Sequence, residues 1–106
     1  YKEDSPLLIL DGCTIDFSRA EVHKGNETIS LTAKEHIFLE TLARNEGKIV
    51  TVDALCEALW GDNPFGYENS LNAHVRRSRA KIETDPSKPV SLITIKGLGY
   101  KLIARK

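Results

Sequence analysis

Within twelve residues, Ser70 to Lys81, the chain carries His74, Arg76, Arg77, Arg79 and Lys81. Groups of this kind bind anions, and their spacing decides which anions they can reach. On a helical wheel of ~100° per residue, Leu71, Val75, Ser78 and Ile82 fall within ~40° of one another and form a stripe for burial. Ala73, Arg76, Arg77 and Ala80 fall on the far side, with Ser70 at its edge, and His74, Arg79 and Lys81 lie on the flanks. Such a face suits a repeating polyanion. Small residues let a helix backbone approach closely, arginines fork onto guanine O6 and N7 or hold phosphates, and flanking donors reach sugar-phosphate rails.

A basic surface helix is by itself usually just a solvated one. Here the basic face lies opposite an apolar stripe and shortly before a second cationic element. Leu92-Ile93-Thr94-Ile95 reads as a strand, Gly97-Leu98-Gly99 as a slim turn, and Tyr100–Ala104 as the returning strand. Thr94 and Lys96 share one face by the period of two, and Lys96 sits near the tip. A thin cationic hairpin fits a narrow minor groove, where the potential is most negative. Tyr100 can both pack its ring and offer its hydroxyl to a phosphate.

These two elements need a scaffold, and the rest of the chain supplies it. Leu7–Leu10, Thr14–Ser18, the stretch at Val22 and Thr28–Leu31 are short runs bounded by Asp11-Gly12 and Lys24-Gly25-Asn26 turns, which predicts an antiparallel sheet of about four strands. Thr32-Ala33-Lys34-Glu35 is a capping box, and Phe38, Leu39 and Leu42 give the helix that follows one apolar face. Gly47 is the expected left-handed end of that helix. Ile49-Val50 is extended. Thr51 caps a second helix with stripe Val52, Leu55 and Leu59, which closes at Trp60-Gly61. The loop 61–66 separates it from the third helix, expected over Asn69–Glu83. The fold class is α+β: a winged helix-turn-helix with a sheet at 7–31, a three-helix core at 32–83 and a hairpin at 90–104, all in one domain spanning 1–106.

Length and composition agree. The chain has 106 residues, 41% hydrophobic and 28% charged, enough for a single core without staples. Fifteen basic and fifteen acidic side chains cancel overall. Residues 1–66 nevertheless hold 6 basic and 12 acidic groups, and residues 67–106 hold 9 and 3. A local field of one sign steers a polyanion even when the total charge is zero. The longest apolar run is Leu7–Leu10, too short to span a membrane. Cys13 and Cys56 read as reduced thiols of a cytoplasmic protein, and His23, His36 and His74 lack metal-site spacing. No Walker-type loop, nucleophile elbow or carboxylate pair is present, so we expect no enzyme, no cofactor and no metal. With no initiator methionine, we expect a piece of a longer chain.

Several motifs occur in order: Leu31-Thr32-x-x-Glu35, Gly47-x-x-Val50, Leu55-x-x-x-Leu59-Trp60-Gly61, His74-Val75-x-Arg77-x-Arg79-x-Lys81 and Thr94-Ile95-Lys96-Gly97-Leu98-Gly99-Tyr100. From about Leu7 to Ile103 the chain resembles the effector domain of OmpR/PhoB-type response regulators of bacterial two-component systems. The resemblance implies that Ser70, Ala73 and Arg77 face bases and that Lys96 enters the minor groove. It implies phosphate contacts for Trp60, His74, Arg76, Arg79, Thr94 and Tyr100. The loop Gly61, Asp62, Asn63, Pro64, Phe65 and Gly66 matches the segment that in family activators touches RNA polymerase. Implied partners are double-stranded DNA in tandem direct repeats, RNA polymerase, and an upstream receiver, absent here, with its sensor kinase. The chain departs from the family pattern at Asn69 and Lys96, where Arg is usual, and at Ser78, where Leu is usual. The alternative from another class is a winged-helix adaptor whose basic face binds an acidic protein partner.

Overall fold

A computed structural model describes residues 7–61 and 68–104. The first four strands, β1 (Leu7–Leu10), β2 (Cys13–Asp16), β3 (Glu21–Lys24) and β4 (Glu27–Ser30), form an antiparallel meander in sequence order. Its register places Ile15 opposite both Leu8 and Val22, and Val22 opposite Ile29. One face of the sheet therefore buries Leu10, Cys13, Ile15 and Val22, and the other exposes Leu7, Ile9 and His23. β2 stops two residues short of the expected Ser18. There the Asp16 carboxylate accepts from Ser18 N–H at 3.0 Å and from the Ser18 hydroxyl at 2.6 Å, a local turn that outcompetes the ladder.

Helix α1 (Ala33–Arg44) opens on the capping box: Glu35 N–H donates to Thr32 Oγ1 at 3.2 Å and Thr32 N–H to Glu35 Oε1 at 2.9 Å. It ends at Asn45, not at Gly47. Asn45 N–H reaches back to Leu42 O, while Gly47, at φ +81°, lies in the following turn and donates to Leu102 O. Gly47 thus helps seat the last strand instead of closing the helix.

β5 (Val50–Thr51) leads into α2 (Val52–Trp60), where Ala54 N–H donates to the Thr51 hydroxyl at 3.1 Å. Gly61, at φ +95°, ends the helix and donates to Glu57 O. α3 (Glu68–Ile82) begins and ends one residue before the expected span. β6 (Leu92–Ile95) and β7 (Gly99–Leu102) form the hairpin, and β5 joins it in the order β5-β7-β6. Gly99 is demanded by that pairing, because a Cβ there would lie 2.0 Å from Val50 O.

α1 packs against α2, α3 and β7, and α3 also packs against β2 and β3. Phe38, Leu39 and Leu42 of α1 meet Leu55, Leu71, Ile82, Leu92 and Leu102 in one core. Sheet, helices and hairpin are thereby locked around α3. The Asp62–Gly66 part of the predicted polymerase loop lies outside the described residues.

Candidate nucleic-acid interface

The wheel drawn from the sequence holds for α3. Leu71, Val75, Ser78 and Ile82 are buried; Asn69, Ser70, Asn72, Arg76, Arg77 and Ala80 are exposed; Ala73, His74, Arg79 and Lys81 are half-buried. The Arg76 and Arg77 side chains stand on the open face. Ser78 takes a core position with its hydroxyl unpartnered among the described residues, where an aliphatic side chain would be satisfied.

The hairpin lies along one flank of this helix, fixed by side chains of α3. Arg79 donates from Nε and Nη2 to Leu92 O at 3.1 and 3.0 Å, and from Nη2 to the Thr94 hydroxyl at 2.6 Å. One turn later the buried Glu83 carboxylate accepts from Val90, Ser91 and Leu92 N–H at 3.0, 3.0 and 2.7 Å. Tyr100 donates its hydroxyl to Asn72 Oδ1 at 3.2 Å, and its ring meets Phe38 edge-on. At 8% exposure Tyr100 is mainly a core residue whose polar tip reaches α3. Thr94 and Lys96 are exposed, with Lys96 in the tight Ile95–Leu98 turn. The basic face of α3 and the hairpin tip are therefore held in one rigid relation.

The other flank is built from three helices. Trp60, at the end of α2, lies 5.8 Å from the His74 ring, and the Lys34 ammonium stands 5.2 Å from the indole centre. Lys34 also donates to Leu59 O. Burial holds the His74 imidazole below its ordinary pKa, reinforced by the Arg77 and Lys34 charges and opposed by Glu35. Its Nδ1 is buried with no partner among the described residues.

One flanking cation is not available. Lys81 turns inward, donating to Ser30 O at 2.8 Å and pairing at 2.5 Å with Glu35, which is 0% exposed. The wheel placed Lys81 on the flank correctly but could not show that β4 and α1 cover that flank. Arg79 is likewise committed in part: Nε and Nη2 hold the hairpin, and Nη1 has no hydrogen-bond partner among the described residues. The sequence reading missed Lys34, Asn72 and Glu83. Only Glu83, a carboxylate at the C-terminal end of the helix, where the dipole disfavours a negative charge, left a local trace.

Among the described residues, no group of three His, Cys, Asp or Glu could hold a metal, and no helix is long and apolar enough to cross a membrane. Cys13 is pushed up to about 11 by burial, with the nearby Glu83 adding to the rise and Lys24 opposing it, and its thiol donates to Ile82 O. Such a thiol is a poor nucleophile.

Two helices joined by a short segment, with the second basic on its open face and tied to a β-hairpin, define a winged helix-turn-helix domain. Residues 25–102 match the family described as "Transcriptional regulatory protein, C terminal", and the chain belongs to that family. It is an OmpR/PhoB-type winged-helix domain, of the kind that binds DNA in transcription regulation. It is 44% identical over 88 residues to the sensory transduction protein RegX3 of Mycobacterium tuberculosis, covering 83% of this chain and 39% of the relative. The RstA DNA-binding domain of Klebsiella pneumoniae, solved in complex with the RstA box, superposes with TM-score 0.76 at 27% identity, covering 92% of this chain and 96% of that one. The response regulator DrrB of Thermotoga maritima, an OmpR/PhoB homologue, gives TM-score 0.78 at 33% identity, covering 92% of this chain and 44% of DrrB. The chain spans about two fifths of the length of the curated relatives it matches.

Proposed function

We propose that this chain is the DNA-binding output domain of a two-component response regulator, with α3 in the major groove and the β6–β7 hairpin in the adjoining minor groove. The observation that carries the reading is the joint geometry of the two elements: an open Arg76/Arg77 face on α3, with a Lys96-tipped hairpin tied to the same helix through Arg79 and Thr94. Ser70, Ala73 and Arg77 face base edges, where Arg77 can fork onto a guanine. Lys96 enters the minor groove. Arg76, Thr94 and the Nη1 of Arg79 serve one phosphate rail, which Tyr100 joins by turning its hydroxyl from Asn72 Oδ1 to a phosphate oxygen; Trp60 and His74 serve the other.

The remaining roles follow from family likeness. Gly61 and the residues 62–66 contact RNA polymerase. The full-length chain carries a receiver phosphorylated by a sensor kinase, acts in the cytoplasm and binds tandem direct repeats. The domain has no catalytic role of its own.

The test is a binding titration against a duplex selected from a random pool, beside scrambled duplex, at several salt concentrations. The reading predicts tighter binding to the selected site and a steep linear fall of log affinity with log salt. Equal affinity for all duplexes, or none, gives the protein-adaptor reading instead.

A further inference from the structure

We propose that Lys34, on the first turn of α1, belongs to the DNA-binding surface and supplies the positive charge of the phosphate-binding corner it forms with Trp60 and His74. The inference rests on the DNA-binding reading above and adds a residue that the resemblance did not assign. Three facts carry it. Lys34, Trp60 and His74 come from α1, α2 and α3, and meet only because the three helices converge there: the ammonium lies 5.2 Å from the indole centre, which lies 5.8 Å from the imidazole. Lys34 spends one N–H on Leu59 O, the second-last carbonyl of α2, which fixes the ammonium beside Trp60 and leaves two donors. The corner also lacks another free cation on α1 or α2. Among described residues, Lys34 and Arg44 are the lysine and arginine of those helices; Arg44 lies at the opposite end of α1, paired with Glu40, and the His36 ring is engaged with Phe17 O at 2.8 Å.

His74 does not fill that role. The groups facing it are Lys34 and Glu35 of α1, Trp60 of α2, and Arg77 of its own helix. Two cations against one buried carboxylate already paired with Lys81 favour an uncharged imidazole. With Nδ1 buried and unpartnered, protonation would leave a buried N–H without an acceptor. His74 therefore acts as a neutral Nε2–H donor, and the two residues divide the work: Lys34 brings charge and His74 a directed hydrogen bond.

Counterion release separates the two roles. Each phosphate neutralised by a cation contributes about 0.9 to the slope of log affinity against log salt. A fourfold rise in salt, 50 to 200 mM, should thus weaken Lys34→Met about 3.5-fold less than the parent chain (4 raised to 0.9). Lys34→Arg should restore the parent slope. His74→Ala at pH 7.5 should lose affinity at every salt concentration while keeping that slope. Circular dichroism melts run alongside identify variants that fail to fold, and Lys34→Gln provides a second neutral variant. A parent-like slope in folded Lys34→Met and Lys34→Gln overturns the inference while DNA binding stands. If the parent chain shows no salt-dependent binding, the function reading itself fails. A slope reduced in His74→Ala as in Lys34→Met also overturns the assignment, because the imidazole would then carry the charge.

Discussion

Replacing Lys81 by Met should destabilise the domain by about 3–5 kcal/mol without removing a DNA contact. Glu35 is 0% exposed, and its Oε1 lies 2.5 Å from the Lys81 ammonium, which also holds Ser30 O. Burial alone would raise the Glu35 pKa. The Lys81 hydrogen bond and charge, with the Thr32 N–H, overcome it and hold the carboxyl below its ordinary 4.5. Removing one partner of a buried pair leaves an uncompensated charge, which costs ~3–5 kcal/mol. At ~4–8 °C per kcal/mol for a domain of this size, the melting temperature should fall by at least about 12 °C.

The pH dependence gives the sharper check. In the parent chain the folded pKa of Glu35 is depressed, so its contribution is present above 4.5 and is lost as pH falls through the lower folded value. Stability from this group should be unchanged between pH 7.5 and 5. In Lys81→Met, burial acts unopposed by Lys81 and raises the folded pKa, so the penalty applies at high pH and shrinks on acidification. Urea melts at pH 7.5 and 5 should show the variant's deficit narrowing. The double variant Glu35→Gln/Lys81→Met, whose Gln can still accept from Thr32 N–H, should recover much of the loss. A deficit below 1 kcal/mol, or one that grows at pH 5, would refute the reasoning.

Other consequences concern the interface. Glu83→Ala orphans the buried Ser91 and Leu92 N–H groups at ~1–3 kcal/mol each and leaves the more exposed Val90 N–H to solvent; hydrogen exchange at Ser91 and Leu92 should accelerate before the helices respond, and protection equal to the parent's would contradict the clamp. Arg77→Ala should cost ~1–3 kcal/mol of specific binding and relax one base position in a repeated site selection; an unaltered selected sequence would remove Arg77 as a reader. Lys96→Ala should weaken binding and flatten the salt slope by about one, and an unchanged slope would place the hairpin tip off the DNA.

The sequence carried the elements well because each rested on a local rule. The capping box at Thr32, the cap at Thr51, the stripe Leu71-Val75-Ser78-Ile82 and the Gly97-Leu98-Gly99 turn are all written in neighbouring residues. The errors fall where a second element decides. Gly47 had the right chemistry for a helix end, but its N–H is taken by Leu102 O, and Asn45 closes the turn earlier. Lys81 and Arg79 were placed on their flanks by the wheel, yet β4 and β6 carry acceptors that claim them. A wheel gives the angle of a residue about its own axis and is silent on what packs at that angle. Lys34 went unnoticed for the same reason: inside a capping box it reads as a solvated lysine, and only the convergence of three helices sets it beside Trp60.

The central claim is that the open face of α3 and the hairpin tip dock together on duplex DNA. Backbone amide shifts mapped by NMR on adding the selected duplex test it most directly. The largest changes should fall on Asn69–Ala80 and Thr94–Gly97, with the outer face of the sheet, at Leu7 and Ile9, unmoved. Changes concentrated on that sheet, or on α3 without the hairpin, would contradict the account.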